Sequence, residues 1–258
     1  MGLFGPSPPI DREEFEWLLA CFAWIDRTLG AKDRADGFVP ELVLPTDPDL
    51  LKASTAPQLF EVVKRKAGLE HWECRLEKGE ARREPVDIGL VGGFTQSSNV
   101  LGTFSLEGNT PVVCYDPALL RNPDALIATF AHELAHLLIH TLGMPPGGET
   151  LEEHATDCMA VYLGFGVFLA NDARNFSQFS EAGMHGWSSE ASGYLSENAL
   201  VTALVLFERH FDKEECGADA LKDYLRPVHR KADRYLKKRH PHIRDELAGI
   251  DLSVWASS

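Results

Sequence analysis

The sequence predicts an α+β fold: a small, mainly antiparallel sheet followed by a helical half. Three observations carry this expectation. Residues 71–116 break into short β-forming segments parted by Gly79, Gly92-Gly93 and Glu107-Gly108-Asn109. From residue 122 onward, apolar residues recur at helical spacing over long runs. Ahead of both, Phe15, Leu18, Leu19, Phe22, Ile25 and Leu29 share one helical face between Glu13 and Leu29, and Gly30 closes that helix. A chain of 258 residues can bury one core of useful size. Residues 1–258 therefore read as a single domain, with residues 1–70 either part of it or an N-terminal helical appendage.

Each element has a local reason. Residues 1–10 form a Gly/Pro-rich tail, and Pro40, Pro45 and Pro48 keep residues 30–55 loop-like. A short helix is expected from Pro57 to Lys66, stopped at Gly68. Trp72–Glu77, Val86–Val91, Gly102–Leu106 and Pro111–Tyr115 suit strands, the last two joined as a hairpin across Glu107-Gly108-Asn109. Asn122-Pro123-Asp124 then opens a long helix: Asn caps, Pro fits the first turn, and Asp favours the positive end of the dipole. This helix should run to about Thr141, where Gly143, Pro145, Pro146, Gly147 and Gly148 force a turn. A second helix is expected from Thr150 to Asn171, and a polar loop follows to Leu195. Ser196 can cap a third helix, Asn198–His210, and a fourth spans Ala218–Arg239.

Composition narrows the function classes. Apolar residues make up 44% and charged residues 25%, the range of a soluble globular protein. A net charge of −14 repels polyanions, so general nucleic-acid or anionic-membrane binding is disfavoured. The basic residues between Lys222 and Arg244 are an exception, read as a solvated helix offsetting an acidic body rather than as an anion-binding face. The five cysteines are widely spaced and form no C-x-x-C pair, which excludes a zinc ribbon and suits a reducing compartment. The N-terminus carries no signal-peptide pattern, and Pro6 stands where a myristoylation motif needs Ser or Thr. The apolar run Met159–Ala170 is too short to span a bilayer. A cytoplasmic location is expected, with no membrane partner. The oligomeric state stays open.

The chemistry lies in Ala131-His132-Glu133-Leu134-Ala135-His136, an H-E-x-x-H pattern on the first long helix. Residues four apart project from one helix face, so His132 and His136 can bind one metal. Glu133 lies next to the first ligand and can reach a metal-bound water. A catalytic zinc keeps three protein ligands and one open position, so a third ligand is required. The H-E-x-x-H-x-x-G-x-x-H continuation fails, because Ile139 and Leu142 stand where Gly and His are needed. His140 is excluded because three His on one straight helix span about 12 Å. The candidates lie on the next helix: Glu149, Glu152, Glu153, His154 and Asp157. Of these, Glu153 and Asp157 are four apart and share a face.

HELAHLLIH followed by EEHATDCMA resembles the gluzincins, with their E-x-x-x-D signature, and especially the compact ImmA/IrrE-like zinc peptidases. The likeness covers about residues 110–165. It implies a zincin-like domain in which His132, His136 and Glu153 bind Zn²⁺ and Asp157 orients a zinc-bound imidazole. Such an outer carboxylate fixes the tautomer and raises ligand basicity. The likeness also implies an edge strand before the zinc helix, so Pro111–Tyr115 is expected at a sheet edge where a substrate peptide could add as a strand. No helix-turn-helix is recognisable, and the tail beyond residue 170 lies outside the likeness.

The implied activity is zinc-dependent hydrolysis of peptide bonds in a peptide or protein substrate. Zinc lowers the pKa of its water towards 7 and polarises the scissile carbonyl. Glu133 acts as general base. An oxyanion-stabilising donor is expected from the polar loop, with Tyr194 and His185 as candidates. Two other readings remain: hydrolysis of a different amide, and a non-proteolytic interaction or regulatory protein with a structural zinc site. Glu133 weighs against the last, because structural zinc needs no general base.

Overall fold

The computed structural model describes residues 6–32, 39–79, 102–107, 110–177, 194–213 and 216–255. The architecture is α+β and mostly helical, and the elements run in the order now given.

Helix α1 (Arg12–Lys32) starts where the Asp11 carboxylate accepts from the Glu14 amide. It buries Trp17, Leu18, Phe22 and Ile25 completely. Trp17 donates its indole N–H to the Pro146 carbonyl at 2.9 Å, tying the helix to the Gly/Pro-rich turn. Among residues 1–70, α1 thus packs as a core helix against elements from the second half of the chain. Helices α2 (Pro48–Lys52) and α3 (Ala56–Lys66) follow, capped by Asp47 and Thr55 side chains.

Strands β1 (Arg75–Lys78), β2 (Gly102–Glu107) and β3 (Thr110–Tyr115) form one sheet in the order β1-β3-β2. The expected hairpin is present: β2 pairs antiparallel with β3, Gly102 opposite Tyr115. The expected sheet type is not. β1 runs parallel to β3, Arg75 opposite Val112, so the sheet is mixed rather than mainly antiparallel. Two expectations change with it. Residues 111–115 lie in the centre of the sheet with both sides paired, which rules out peptide addition to this strand. The parallel partner arrives through a crossover, and crossovers leave no local turn signal comparable to a hairpin's. The strand expected at Val86–Val91 falls outside the described residues.

Helix α4 (Pro123–Leu142) opens as anticipated, with the Asn122 side chain accepting from the Ala125 amide at 3.3 Å. It is apolar nearly all round, which marks a central helix. By length and composition it could cross a membrane, but 89% of its most apolar window is buried inside the fold. It packs on α3, β2, β3 and the two helices that follow, α5 (Glu152–Ala160) and α6 (Gly166–Ser177).

A continuous helix was expected across Thr150–Asn171. Instead a π-turn, Val161–Phe165, separates α5 from α6, with Gly164 at φ 102°. The cause is a close crossing. The Gly164 carbonyl accepts from the Val43 amide at 3.0 Å, and a Cβ at Gly164 would lie 2.0 Å from the Glu41 carbonyl oxygen. Gly164→Ala is therefore expected to destabilise the fold by roughly 2–4 kcal/mol, combining a left-handed φ with a backbone clash. An unfolding free energy from denaturant titration within roughly 0.5 kcal/mol of wild type would contradict this.

Helix α7 (Glu197–His210) is capped by Ser196 as read from the sequence. The expected fourth helix is two helices, α8 (Cys216–Ala220) and α9 (Arg226–Arg239), because Pro227 occupies the first turn of α9 and cannot sit in a helix interior. α10 (Ile243–Gly249) closes against α1, where Arg27 donates to the carbonyls of Leu247, Ala248 and Ile250.

Candidate metal centre

Helices α4 and α5 face each other across the Gly143–Gly148 turn and build the site. Gly143, Gly147 and Gly148 all have positive φ, so this reversal needs residues without a side-chain penalty there. His132 and His136 stand one turn apart on α4, and Glu153 comes from the first turn of α5. His132, His136 and Glu153 form a cluster that could hold a metal ion.

The geometry fits that role. The two Nε2 atoms lie 3.1 Å apart, and each is 3.4 Å from Glu153 Oε2. Ligands about 2.0–2.1 Å from a tetrahedral zinc would be separated by about 3.3–3.4 Å. The donor set, two imidazoles and a carboxylate, is one that a divalent transition-metal ion accepts.

Hydrogen bonds behind the cluster assign the tautomers. His132 Nδ1 lies 3.0 Å from Asp157 Oδ1, which only accepts when ionised, so Nδ1 carries the proton. His136 Nδ1 lies 3.3 Å from Thr156 Oγ1, whose own proton is donated to the Glu152 carbonyl at 2.9 Å, so this Nδ1 donates as well. Both Nε2 lone pairs then point at each other and at a carboxylate. Three electron-pair donors at this spacing repel unless a cation or a proton lies between them. Burial opposes a charged imidazole, yet the bonds to Asp157 and Glu153, with the charge of Glu133 added, push the His132 pKa up to about 10. Burial likewise opposes ionisation of Glu153, and the two imidazoles outweigh it, holding its carboxyl far below the usual range.

A pH dependence follows. An unperturbed imidazole titrates near 6.5 and the surroundings of His132 push it up to about 10, so its protonated form stabilises the metal-free chain. That stabilisation is complete below about pH 6.5 and is lost as pH rises through about 10. A metal must displace the same proton. Zinc affinity should therefore rise towards roughly tenfold per pH unit over that window. Competition with a chromophoric chelator at two pH values measures it, and an affinity independent of pH would contradict the assignment.

The contact expected of Asp157 is present, and its second oxygen accepts from the Leu195 amide at 2.8 Å. Asp157→Ala should weaken zinc affinity by roughly 10–100-fold without abolishing binding. An unchanged affinity would remove Asp157 from the site. Glu133 follows His132 on α4 and is 2% exposed, close enough for its charge to act on that imidazole. Tyr194 is brought in, its ring centroid 5.2 Å from that of His132. His185 lies outside the described residues. His140 is exposed. Of the other candidates on the second helix, Glu149, Glu152 and His154 lie outside the donor triangle.

Sequence reasoning missed Thr156 and the Leu195 amide. Thr156 precedes Asp157 and lies four residues after Glu152, a spacing at which a helical Thr bonds the carbonyl one turn back. That habit leaves its oxygen free to accept from His136, so a signal was present in the sequence. The Leu195 amide has no such signal, since every residue but proline carries one. No family model, curated protein or solved structure matches this chain.

Proposed function

We propose that this chain is a zinc-dependent peptidase of the compact gluzincin type, similar to the ImmA/IrrE-like enzymes, acting on peptides or proteins in the cytoplasm. The observation that carries the reading is the donor triangle of His132, His136 and Glu153 with a buried carboxylate, Glu133, adjoining it on the same helix. A structural metal site would have no use for that carboxylate, and burying it costs free energy unless a positive charge compensates.

In this reading zinc supplies a Lewis acid that polarises the carbonyl and acidifies water. His132, His136 and Glu153 hold it, while Asp157 and Thr156 keep both imidazoles turned with Nε2 inward. Glu133 accepts a proton from the attacking water and returns it to the leaving amine. Tyr194, beside His132, offers its phenol to the developing oxyanion.

One observation favours a second reading. The side chains of His132 and His136 are only 1% and 7% exposed, and Glu153 25%, a degree of closure that also suits a structural zinc. Incubation with a mixed peptide library separates the two. Cleavage that a chelator abolishes and added zinc restores is the expected result. A zinc-loaded protein with no cleavage over a wide library would favour the structural reading.

A further inference from the structure

Only part of the basic segment after residue 222 offsets acidic residues. Counted at 100° per residue, Arg226, Arg230, Lys231, Arg234, Lys237 and Lys238 occupy an arc of about 140° on α9. The side facing the protein, His229, Ala232 and Leu236, is buried, and Asp233 is buried at the edge of the basic arc. Arg226 pairs with Asp223 at 3.0 Å, and Lys237 with Asp233 at 2.8 Å. Arg230, Lys231, Arg234 and Lys238 are exposed and form no ion pair among the described residues, in a chain with 39 acidic and 25 basic residues. Arg226/Arg230, Arg230/Arg234 and Arg234/Lys238 are like-charge i,i+4 pairs, an arrangement that destabilises a helix. Asp223 relieves this at Arg226, and among the described residues no carboxylate pairs with Arg230, Arg234 or Lys238.

An open, shallow cleft of about 480 Å³ lies on this face, lined by Arg230, Asp233, Arg234, Lys237 and Lys238, with the Asp233 carboxylate taken up by Lys237 and Arg209. We infer that this cleft binds a compact, multiply charged phosphate, a short polyphosphate chain whether free or carried by a nucleotide. Guanidiniums one turn apart, about 6 Å along the axis, suit alternate phosphoryl groups of a short chain, and Arg grips phosphate in bidentate fashion. The size of the ligand follows from the rest of the molecule. A long nucleic acid would extend beyond the cleft onto a body of net charge −14, which repels it. The aromatic ring on α9 itself, Tyr235, is half-buried and packs edge-on against Phe15, so it offers no stacking platform. A membrane surface would want exposed apolar residues beside the cations, and the arc offers none.

The test is titration calorimetry of the zinc-loaded full chain with inorganic tripolyphosphate at about 0.15 M salt. The control is the Arg230→Gln/Arg234→Gln double variant. Both proteins keep the metal triad, so any heat from zinc chelation is common to the two. Tripolyphosphate should bind at least roughly tenfold more tightly than monophosphate, and the double variant should lose at least roughly tenfold. Equal affinity for adenosine triphosphate would identify the phosphate chain as the ligand, and tighter nucleotide binding would identify a nucleotide as its source. The inference is overturned by equal affinity in wild type and double variant, by no saturable binding, or by stronger binding to a single-stranded oligonucleotide or to phosphatidylserine vesicles.

Discussion

Glu133→Gln is expected to lower peptide hydrolysis by at least roughly 10²-fold, the lower range for losing a positioned general base. The same protein should keep its fold and its zinc. The substitution replaces one oxygen by an amide nitrogen of similar size at a buried position, so packing is preserved. Metal retention follows from the ligand set, because His132, His136 and Glu153 close the donor triangle without Glu133. An amide cannot accept the proton of the attacking water, so the loss should appear in the chemical step. Elemental analysis and library cleavage, read side by side in wild type and variant, give the answer. Equal hydrolysis in both would remove Glu133 from the mechanism. Loss of zinc together with activity would mean that Glu133 belongs to the metal's coordination instead.

His136→Ala and Glu153→Ala should each abolish stoichiometric zinc binding. Each removes one corner of a triangle with edges of 3.1–3.4 Å and leaves two protein donors, fewer than either class of zinc site uses. The two variants should differ in the metal-free state. Glu153→Ala removes the anion that shares the proton of His132, so that imidazole should titrate at a lower pH than in wild type. His136→Ala leaves the Glu153–His132 contact in place. Proton NMR titration of the imidazoles separates these outcomes. Full zinc occupancy in Glu153→Ala would show that the third ligand is another residue.

Most of the site was legible in the sequence because it is local. His132, Glu133 and His136 fall within about one turn of α4, and Glu153 and Asp157 within about one turn of α5, so periodicity puts each set on one face, while the choice of Glu153 and Asp157 among their neighbours rests on the gluzincin likeness. The turn that folds α5 back on α4 was legible in Gly143, Gly147 and Gly148. What could not be read depends on contacts between distant segments. The break at Gly164 is set by the approach of Glu41 and Val43, more than a hundred positions earlier. The central position of β3 depends on β1, whose parallel pairing has no turn signature. The core role of α1 depends on Trp17 finding the Pro146 carbonyl. The division of α8 from α9 is different, because its signal, Pro227, is local but lies within a stretch of continuous helical periodicity.

The central claim is that one zinc binds between α4 and α5. A crystal structure of the purified protein, with anomalous scattering recorded at the zinc absorption edge, tests it most directly. A single anomalous peak is expected about 2.0–2.2 Å from His132 Nε2, His136 Nε2 and a Glu153 oxygen, with Asp157 still bonded to His132 Nδ1. A zinc-replete crystal with no peak there, or with its peak at other residues, would overturn the assignment of this triad as the zinc site.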